Sequence, residues 1–209
     1  MKRIIYLVMQ ESVCYPAAAM NLPKGCRILS ELTTRHFEQM AALEETYYAP
    51  EFITPAAESQ RWYDTYPYTT VAAAAGEEIA GFVNLFPVRK EVFDSLLAGQ
   101  LNDHDMGTEA VVDLSRHRGE VLEMFLSCVV VARPFRRSGL CRALLQEAVK
   151  PYLPYLPCCN RVITDNVTED GERFSRRYGF RCLGESEHDS RLYIQPFADF
   201  VRRATESTP

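Results

Sequence analysis

The residue types best suited to chemistry are concentrated in one short segment near the middle of the chain. Four arginines, at positions 133, 136, 137 and 142, surround Gly139 directly before an apolar helical pattern. The first turn of a helix has unpaired N–H groups and a partial positive charge, and arginine can bind two phosphate oxygens at once. Glycine lets the backbone approach a ligand closely. The segment therefore predicts an anion site, above all a phosphate site, at a helix N-terminus.

The elements that must position these arginines lie on either side of them. Residues 125–131 are nearly all apolar, which predicts a central strand covered on both faces, with Ser127 as its one hydroxyl. An apolar helical pattern from Ala143 to Val149 predicts a helix over residues 140–152. The segment has neither the G-K-[ST] of a P-loop nor the G-x-G-x-x-G of a dinucleotide fold, so the phosphate must be held in another way.

This segment resembles the cofactor signature of the GCN5-related N-acetyltransferase (GNAT) superfamily. In that signature a strand ending in valine leads to an aromatic residue, Arg or Gln, two residues, Gly, one residue, and Gly or Ala. The chain supplies Val131, Phe135, Arg136 and Gly139 at these positions and departs at Cys141. Cysteine is small, so we expect slightly looser packing there and a preserved site.

A second match to the superfamily lies downstream. Phe174 and Gly179-Phe180 reproduce the end of its following helix. The tyrosine that often serves these enzymes as general acid would fall at Ser175, whose hydroxyl is short and weakly acidic. Tyr178 lies three residues further, on nearly the same helical face, and is the candidate replacement. The alternative for Tyr178 is a core aromatic beside the Gly-Phe turn.

The resemblance implies acyl transfer from acetyl-CoA, as cosubstrate, to an amine. Backbone groups at the strand end would hold the pantetheine chain and polarise the thioester carbonyl, and the amides of the basic turn would hold the pyrophosphate. The cofactor-binding residues so implied are Val129, Val130, Val131, Arg136, Arg137, Ser138, Gly139, Leu140, Cys141, Arg142 and Asn166.

The candidate catalytic residues are Glu123, Ser127 and Tyr178. Glu123 shares a strand face with Phe125, and in several relatives a glutamate at the position of Phe125 is the base. Glu123 is thus predicted as the base, and the alternative is a rim carboxylate fixed by an arginine. On the preceding strand, Asn84 is a candidate for orienting a water or the substrate.

Hydrophobic periodicity and turn residues predict one domain. Residues 1–25 form a lead-in of uncertain structure, residues 26–200 form a single GNAT-like acyl-CoA-binding domain, and residues 201–209 form a tail. Alternating helices and strands, with hairpins at both ends, predict a mixed sheet flanked by helices. The resemblance implies an α/β (α+β), GNAT-like fold whose central mixed, mostly antiparallel twisted sheet has about 6–7 strands. The polar stretch 101–118 is predicted as a long loop beside the active face.

Other clusters are weaker candidates. The spacing of Asp103, His104, Asp105, Asp113 and His117 fits no metal motif, so we predict no metal site and a role in attracting a cationic amine. The seven cysteines form no C-x-x-C pair, which favours reduced thiols in a cytosolic protein. Aromatic residues that are expected to pack or to contact the acceptor are Tyr47, Tyr48, Trp62, Tyr63 and Tyr66.

The charge balance and apolar runs limit the class of partner. A formal net charge of -5 argues against a general nucleic-acid binder. The apolar run near the start is shorter than a signal peptide requires, and no run approaches the ~18 apolar residues of a membrane span. The sequence thus predicts a cytoplasmic enzyme, without a membrane partner, that acetylates a small-molecule or peptide amine, and it leaves a homodimer open. A catalytically silent acyl-CoA-binding sensor or docking module is the alternative.

Overall fold

A computed structural model describes residues 22–101 and 103–206 of the chain. These residues form one seven-stranded sheet in the order β1-β2-β3-β4-β5-β7-β6. The strands are β1 Cys26–Ile28, β2 Thr70–Ala75, β3 Glu78–Val88, β4 Leu122–Val131, β5 Cys159–Asn166, β6 Arg181–Glu185 and β7 Arg191–Pro196. The β4–β5 pair is parallel and the other neighbours are antiparallel. The predicted fold class is therefore confirmed, and most of the lead-in, residues 1–21, lies outside the described residues.

Within residues 22–101 and 103–206, six α-helices flank the sheet: α1 Thr34–Glu44, α2 Ala56–Thr65, α3 Lys90–Leu97, α4 Leu140–Val149, α5 Glu169–Arg177 and α6 Phe197–Thr205. Short 3-10 turns lie at Pro50–Phe52, Pro67–Thr69, Asp103–Asp105, Thr108–Ala110, Leu114–Arg116, Arg133–Phe135 and Lys150–Tyr155. Helix α4 ends earlier than its predicted limit at 152, because Pro151 cannot continue the α-helical hydrogen bonding. The Thr168 hydroxyl caps α5 by accepting a hydrogen bond from the Gly171 amide at 3.1 Å.

Each face of the sheet carries its own core. On one face α4 and α6 pack on β3, β4 and β5 through a cluster that includes Leu144, Phe197 and Phe200. The Tyr152 hydroxyl fixes this layer by donating to the Leu85 carbonyl at 2.6 Å. On the other face α1 covers β2, β3 and the end of β4, while Trp62 of α2 and helix α3 pack over the far ends of β3 and β4 and over β5 and β7. The ends of β4 and β5 line one cleft between these layers.

The segment 101–118 differs from the predicted polar loop. Within the described part of it, Met106, Ala110, Val111 and Leu114 are buried. The Trp62 indole donates a hydrogen bond to the Met106 carbonyl at 3.2 Å. Scattered apolar residues thus anchor a segment that was predicted as a long polar loop beside the active face, and this segment closes the core under α2.

Folded structure also continues past the predicted boundary at residue 200. Helix α6 runs from Phe197 to Thr205, and Val201 and Ala204 are buried against α4 and the sheet. The apolar residues 197, 200, 201 and 204 recur at helical spacing, so residues 201–205 belong to the core and do not form a tail.

The α6 packing predicts a large stability effect at Phe200. Its side chain is fully buried and contacts the rings of Phe180 and Phe197. Phe200→Ala is expected to lower the free energy of unfolding by about 3–5 kcal/mol, measured by urea denaturation. The control is the neighbouring Asp199, half exposed and ion-paired with Arg202, whose replacement by alanine is expected to change stability by no more than about 1 kcal/mol. Equal stability of both variants would contradict the assignment of α6 to the core.

Candidate functional site

The site begins where two neighbouring strands separate. Strands β4 and β5 pair in parallel from Leu122 and Cys159 to Phe125 and Ile163, where the pairing ends. Just beyond this point β4 has a bulge, because Leu85 pairs with residue 126 while the preceding Asn84 pairs with residue 128. The extra residue is Ser127. A bulge bends its strand and increases the local twist, so it turns the end of β4 away from β5.

A cleft of about 1050 Å³ fills the space between the separated strand ends. Its lining includes most of the predicted cofactor-binding residues: Val129, Val130, Val131, Arg136, Arg137, Gly139, Cys141, Arg142 and Asn166. Leu140 is also predicted to bind, but its side chain is fully buried in the core, so only its backbone can contribute. Ser138 is exposed and its hydroxyl donates to the Phe135 carbonyl at 2.5 Å. The structure therefore brings together the strand end and the arginine turn.

The arginine turn has a backbone suited to an anion. Arg137 and Gly139 both have left-handed φ angles, 63° and 89°, on either side of Ser138. Left-handed residues at such spacing are the backbone geometry from which a concave nest of N–H groups is built, and Gly139 directly precedes the first turn of α4. We call residues 137–139 the nest; the Ser138 N–H within it donates to the Phe135 carbonyl at 3.4 Å. A positive φ is strained for a side chain such as that of Arg137, and such strain is concentrated at ligand sites.

Arg136 connects the turn to three other elements. Its Nε donates to the Val131 carbonyl at 3.2 Å, and its Nη1 donates to Asp170 at 3.0 Å. Its guanidinium lies over the ring of Tyr47, 4.5 Å from the centroid. Hydrogen bonding from Arg173, together with Arg136, lowers the pKa of the Asp170 carboxyl. Arginines at 136, 137, 142, 173 and 177 line this end of the cleft. The carboxylates of Glu169 and Asp170 line it too and pair with Arg173 and Arg136, so the arginines leave an excess of positive charge.

Helix α5 forms the wall where the superfamily often places a tyrosine. Ser175 is fully buried and accepts a hydrogen bond from the Asn166 side-chain amide at 2.8 Å. Tyr178 lines the cleft but also stacks on Phe174, with centroids 4.5 Å apart. Burial raises the pKa of Tyr178 to about 12, and that of Cys141 to about 11. Both groups therefore keep their protons through the neutral range.

Glu123 does not line the cleft. Its carboxylate accepts hydrogen bonds from Arg161 at 2.6 Å and from the Asn160 amide at 2.9 Å. The Arg161 guanidinium in turn lies 4.8 Å from the ring centroid of Phe93 in α3. The β4–β5 register, shifted between residues 122 and 124, places Glu123 below the point where the strands separate. This geometry matches the arginine-fixed carboxylate and gives no support to the prediction of Glu123 as base.

Two acidic residues that were not predicted line the opposite end of the cleft. Glu44 closes α1 and is 8% exposed, and Asp165 lies on β5. Burial raises the pKa of Asp165, and its Oδ1 has no hydrogen-bond partner among the residues that the structure describes. The helical spacing of Glu44 could have identified it from the sequence. Positions 37, 40 and 44 lie on one face of α1, and the first two are buried apolar residues. An acidic residue that completes an apolar stripe is a candidate for function.

The aromatic candidates divide into two groups. Tyr47 and Tyr48 line the acidic end of the cleft together with Phe52. Trp62 is buried in the core, and the Tyr63 hydroxyl accepts a hydrogen bond from the Leu32 amide at 3.3 Å.

Within the described ranges no group of three His, Cys, Asp or Glu side chains is arranged to hold a metal ion. No helix in those ranges is long and apolar enough to cross a membrane.

A mixed sheet whose parallel pair opens onto a basic turn at a helix N-terminus defines the acetyltransferase class of acyl-CoA-binding fold. Residues 37–180 match the family model described as Acetyltransferase (GNAT) family. The chain belongs to that family. The predicted superfamily is thereby confirmed, and the cosubstrate of an acetyltransferase of this family is acetyl-CoA.

Solved structures share the fold at low sequence identity. Ard1 from Thermoplasma volcanium is 15% identical, with 82% of this chain and 97% of that chain covered and a TM-score of 0.50. Arabidopsis thaliana NAA60 in complex with acetyl-CoA is 17% identical, with coverage of 83% and 99% and a TM-score of 0.52. A NatC complex bound to Gag peptide and CoA is 12% identical, with coverage of 82% and 98% and a TM-score of 0.54. No curated protein matches the sequence.

The cationic end of the cleft predicts how acetyl-CoA affinity depends on charge. The double variant Arg136→Ala/Arg137→Ala is expected to raise the Kd for acetyl-CoA at least about tenfold, because each lost charge-assisted contact contributes about 1.5–3 kcal/mol. Isothermal titration calorimetry measures the effect, and thermal melting checks the fold. Arg181→Ala, an exposed β6 residue outside the cleft, is the control. An unchanged Kd in the double variant would contradict the placement of the phosphates.

Proposed function

We propose that the protein transfers the acetyl group of acetyl-CoA to a primary amine of a small molecule or peptide. The observation that carries this proposal is the polarity of the cleft. One end is lined by five arginines around residues 137–139, which outnumber the two carboxylates paired with them there, Glu169 and Asp170, and the other end is lined by Glu44 and Asp165. A ligand with phosphates at one end and a reacting amine at the other matches this arrangement.

The separated strand supplies the groups for the reacting thioester. Beyond Phe125 the edge of β4 no longer pairs with β5. Backbone groups that would bond to β5 in a continuous sheet thus face the cleft along residues 127–131. Such groups can bind an amide-containing chain, and an N–H among them can stabilise the oxyanion of an attacked thioester.

The acidic end is suited to an amine. An amine that reaches the site as an ammonium ion is attracted by the carboxylates of Glu44 and Asp165, and the rings of Tyr47, Tyr48 and Phe52 offer apolar and cation–π contacts. The Gag peptide bound by the NatC complex gives a peptide acceptor for that protein. On this basis we place peptide N-termini among the acceptors to be tested, beside polyamines and amine antibiotics.

A thiol-release screen tests the proposal. Purified protein is mixed with acetyl-CoA and, in turn, with spermidine, kanamycin and a tripeptide that has a free N-terminus, and free CoA is measured with a thiol reagent. At least one amine is expected to raise CoA release above the rate without acceptor, and mass spectrometry is expected to show one added acetyl group on that amine. The matching N-acetylated tripeptide is the control acceptor. Tight acetyl-CoA binding without transfer to any amine would contradict the proposal.

A catalytically silent acyl-CoA-binding module is the second candidate. It is favoured by Ser175, which stands at the usual tyrosine position, is fully buried and is hydrogen bonded to Asn166. The hydroxyl of Ser175 therefore has no access to a leaving thiolate. An enzyme would need another proton donor, and Tyr178 is the tyrosine that α5 brings to the cleft.

Replacement of Tyr178 tests whether it is that donor. With a pKa of about 12 the phenol stays protonated at neutral pH but is a weak acid. Tyr178→Phe is therefore expected to lower kcat by about 10²-fold, the lower end of the range for general acids, with little change in acetyl-CoA affinity. Tyr155→Phe, a half-buried tyrosine outside the cleft, is the control. Unchanged kcat together with a lower Tm would assign Tyr178 to packing alone.

A further inference from the structure

The acidic end of the cleft is lined mainly by apolar and aromatic side chains around its two carboxylates. Glu44 is 8% exposed, and burial is the largest cause of the raised pKa of Asp165. Both carboxylates therefore lie in surroundings of low polarity. The apolar and aromatic residues that line this end of the cleft, here called the apolar wall, are Tyr47, Tyr48, Phe52, Leu96, Leu101 and Phe125.

An aromatic stack holds the floor of the apolar wall in place. Phe125 is 2% exposed, and its ring meets the ring of Phe86 edge to face, with centroids 5.9 Å apart. The ring centroid of Phe86 lies 5.3 Å from that of Trp62. Leu96 of α3 is 1% exposed and belongs to the same buried cluster. Because these side chains are closely packed, the floor offers a ligand a preformed apolar surface.

Leu101 extends the apolar wall beside Asp165. The Gly99 carbonyl accepts a hydrogen bond from the Glu187 amide at 3.0 Å, which anchors the turn after α3 to the loop between β6 and β7. Leu101 follows this turn and packs on the cluster that contains Ile163. Asp165 lies two positions after Ile163 and therefore on the same face of β5. A carboxylate and an apolar side chain thus lie on the same side of the cleft.

We propose that the acceptor is a monoamine with a large apolar group close to its reacting nitrogen. The ammonium group faces the carboxylates of Glu44 and Asp165, and the apolar group packs on the apolar wall. The inference rests on the proposed function, because it names the class of amine for that reaction. Transfer forms the amide C–N bond and breaks the thioester C–S bond. The sulfur leaves as CoA thiol with one of the ammonium protons, and a second ammonium proton goes to solvent.

Amines with several charges fit this end of the cleft less well. A second ammonium group, as in spermidine, would lose its hydration against the apolar wall, and removing an unpaired charge from water is costly. Further along the cleft the arginines repel it. A phenyl ring, in contrast, gains free energy when it leaves water. A nitrogen two carbons from an aryl ring occurs both in phenethylamine and at the N-terminus of a peptide that begins with phenylalanine.

The test compares paired amines on the full chain. The kcat/KM of acetyl transfer is measured for phenethylamine against ethylamine, for Phe-Gly-Gly against Gly-Gly-Gly, and for pentylamine against putrescine, which has the same chain length but two ammonium groups. The aryl group is expected to raise kcat/KM by about 10–10²-fold within the first or the second pair, and pentylamine is expected to exceed putrescine. The pair that responds identifies the source, a free arylalkylamine or a peptide N-terminus.

A variant of the apolar wall tests the contact itself. Leu101→Ala is expected to lower kcat/KM for the favoured aryl substrate about tenfold, mainly through KM, and to change kcat/KM for its small partner by less than about twofold. The control is Leu97→Ala, since Leu97 is half-buried against the same cluster but lies outside the cleft. If Leu101→Ala does not fold, as judged by thermal melting, Phe52→Ala takes its place.

Each outcome decides the inference. Preference for putrescine, spermidine or kanamycin over the aryl substrates would overturn it and leave the proposed function standing. Equal kcat/KM within both aryl pairs, or an equal loss for aryl and small substrates in Leu101→Ala, would also overturn it. An aryl preference of the wild type that is lost in Leu101→Ala and kept in Leu97→Ala supports it. Failure of the wild type to acetylate any amine would overturn both proposals.

Discussion

The site depends on the end of pairing between β4 and β5. These are the two parallel neighbours in an otherwise antiparallel sheet, and their ladder stops at Phe125 and Ile163. A β-sheet normally satisfies its own backbone groups, so a break of this kind is tolerated only where a bulge, a flanking helix or a ligand compensates for it. The Ser127 bulge bends β4 away, and α5 lines the side of the opening that belongs to β5. The cleft is therefore a property of the backbone, and side chains only adapt it to particular partners.

Charge is arranged along the cleft so that each end suits a different substrate. Five arginines and the nest at residues 137–139 lie at one end, and Glu44 and Asp165 lie at the other. The net charge of -5 gives no hint of this, because the arginines are concentrated within two segments of the chain. A uniformly acidic or basic cleft would attract one substrate and repel the other. Separation of the charges lets a polyanion and a cation occupy the same cleft.

The sequence predicted the parts of the fold and site that depend on local pattern. The apolar run before the arginines, the glycine at the start of α4 and a mixed sheet flanked by helices follow from periodicity and spacing, and the family resemblance added the expectation of about 6–7 strands. The boundary at residue 200 was misplaced, because the buried positions of α6 are separated by Arg202 and Arg203, which make its end look polar. Glu44 and Asp165 could not be predicted as a pair, since 121 positions of chain separate residue 44 from residue 165 and only the fold brings them to one cleft.

Arg136 belongs to both halves of the cleft. Its guanidinium binds the end of β4 and Asp170 at the start of α5, and the same planar group covers the ring of Tyr47, which lines the acidic end. A phosphate that draws this guanidinium toward itself must weaken at least one of those contacts. If the contact with Tyr47 is the one lost, the Tyr47 ring can change its orientation, and the acidic end of the cleft would then present a different surface to its ligand. Binding of a polyanion at Arg136 and binding of a ligand against Tyr47 would then be thermodynamically linked, and such a coupling acts with equal free energy in both directions.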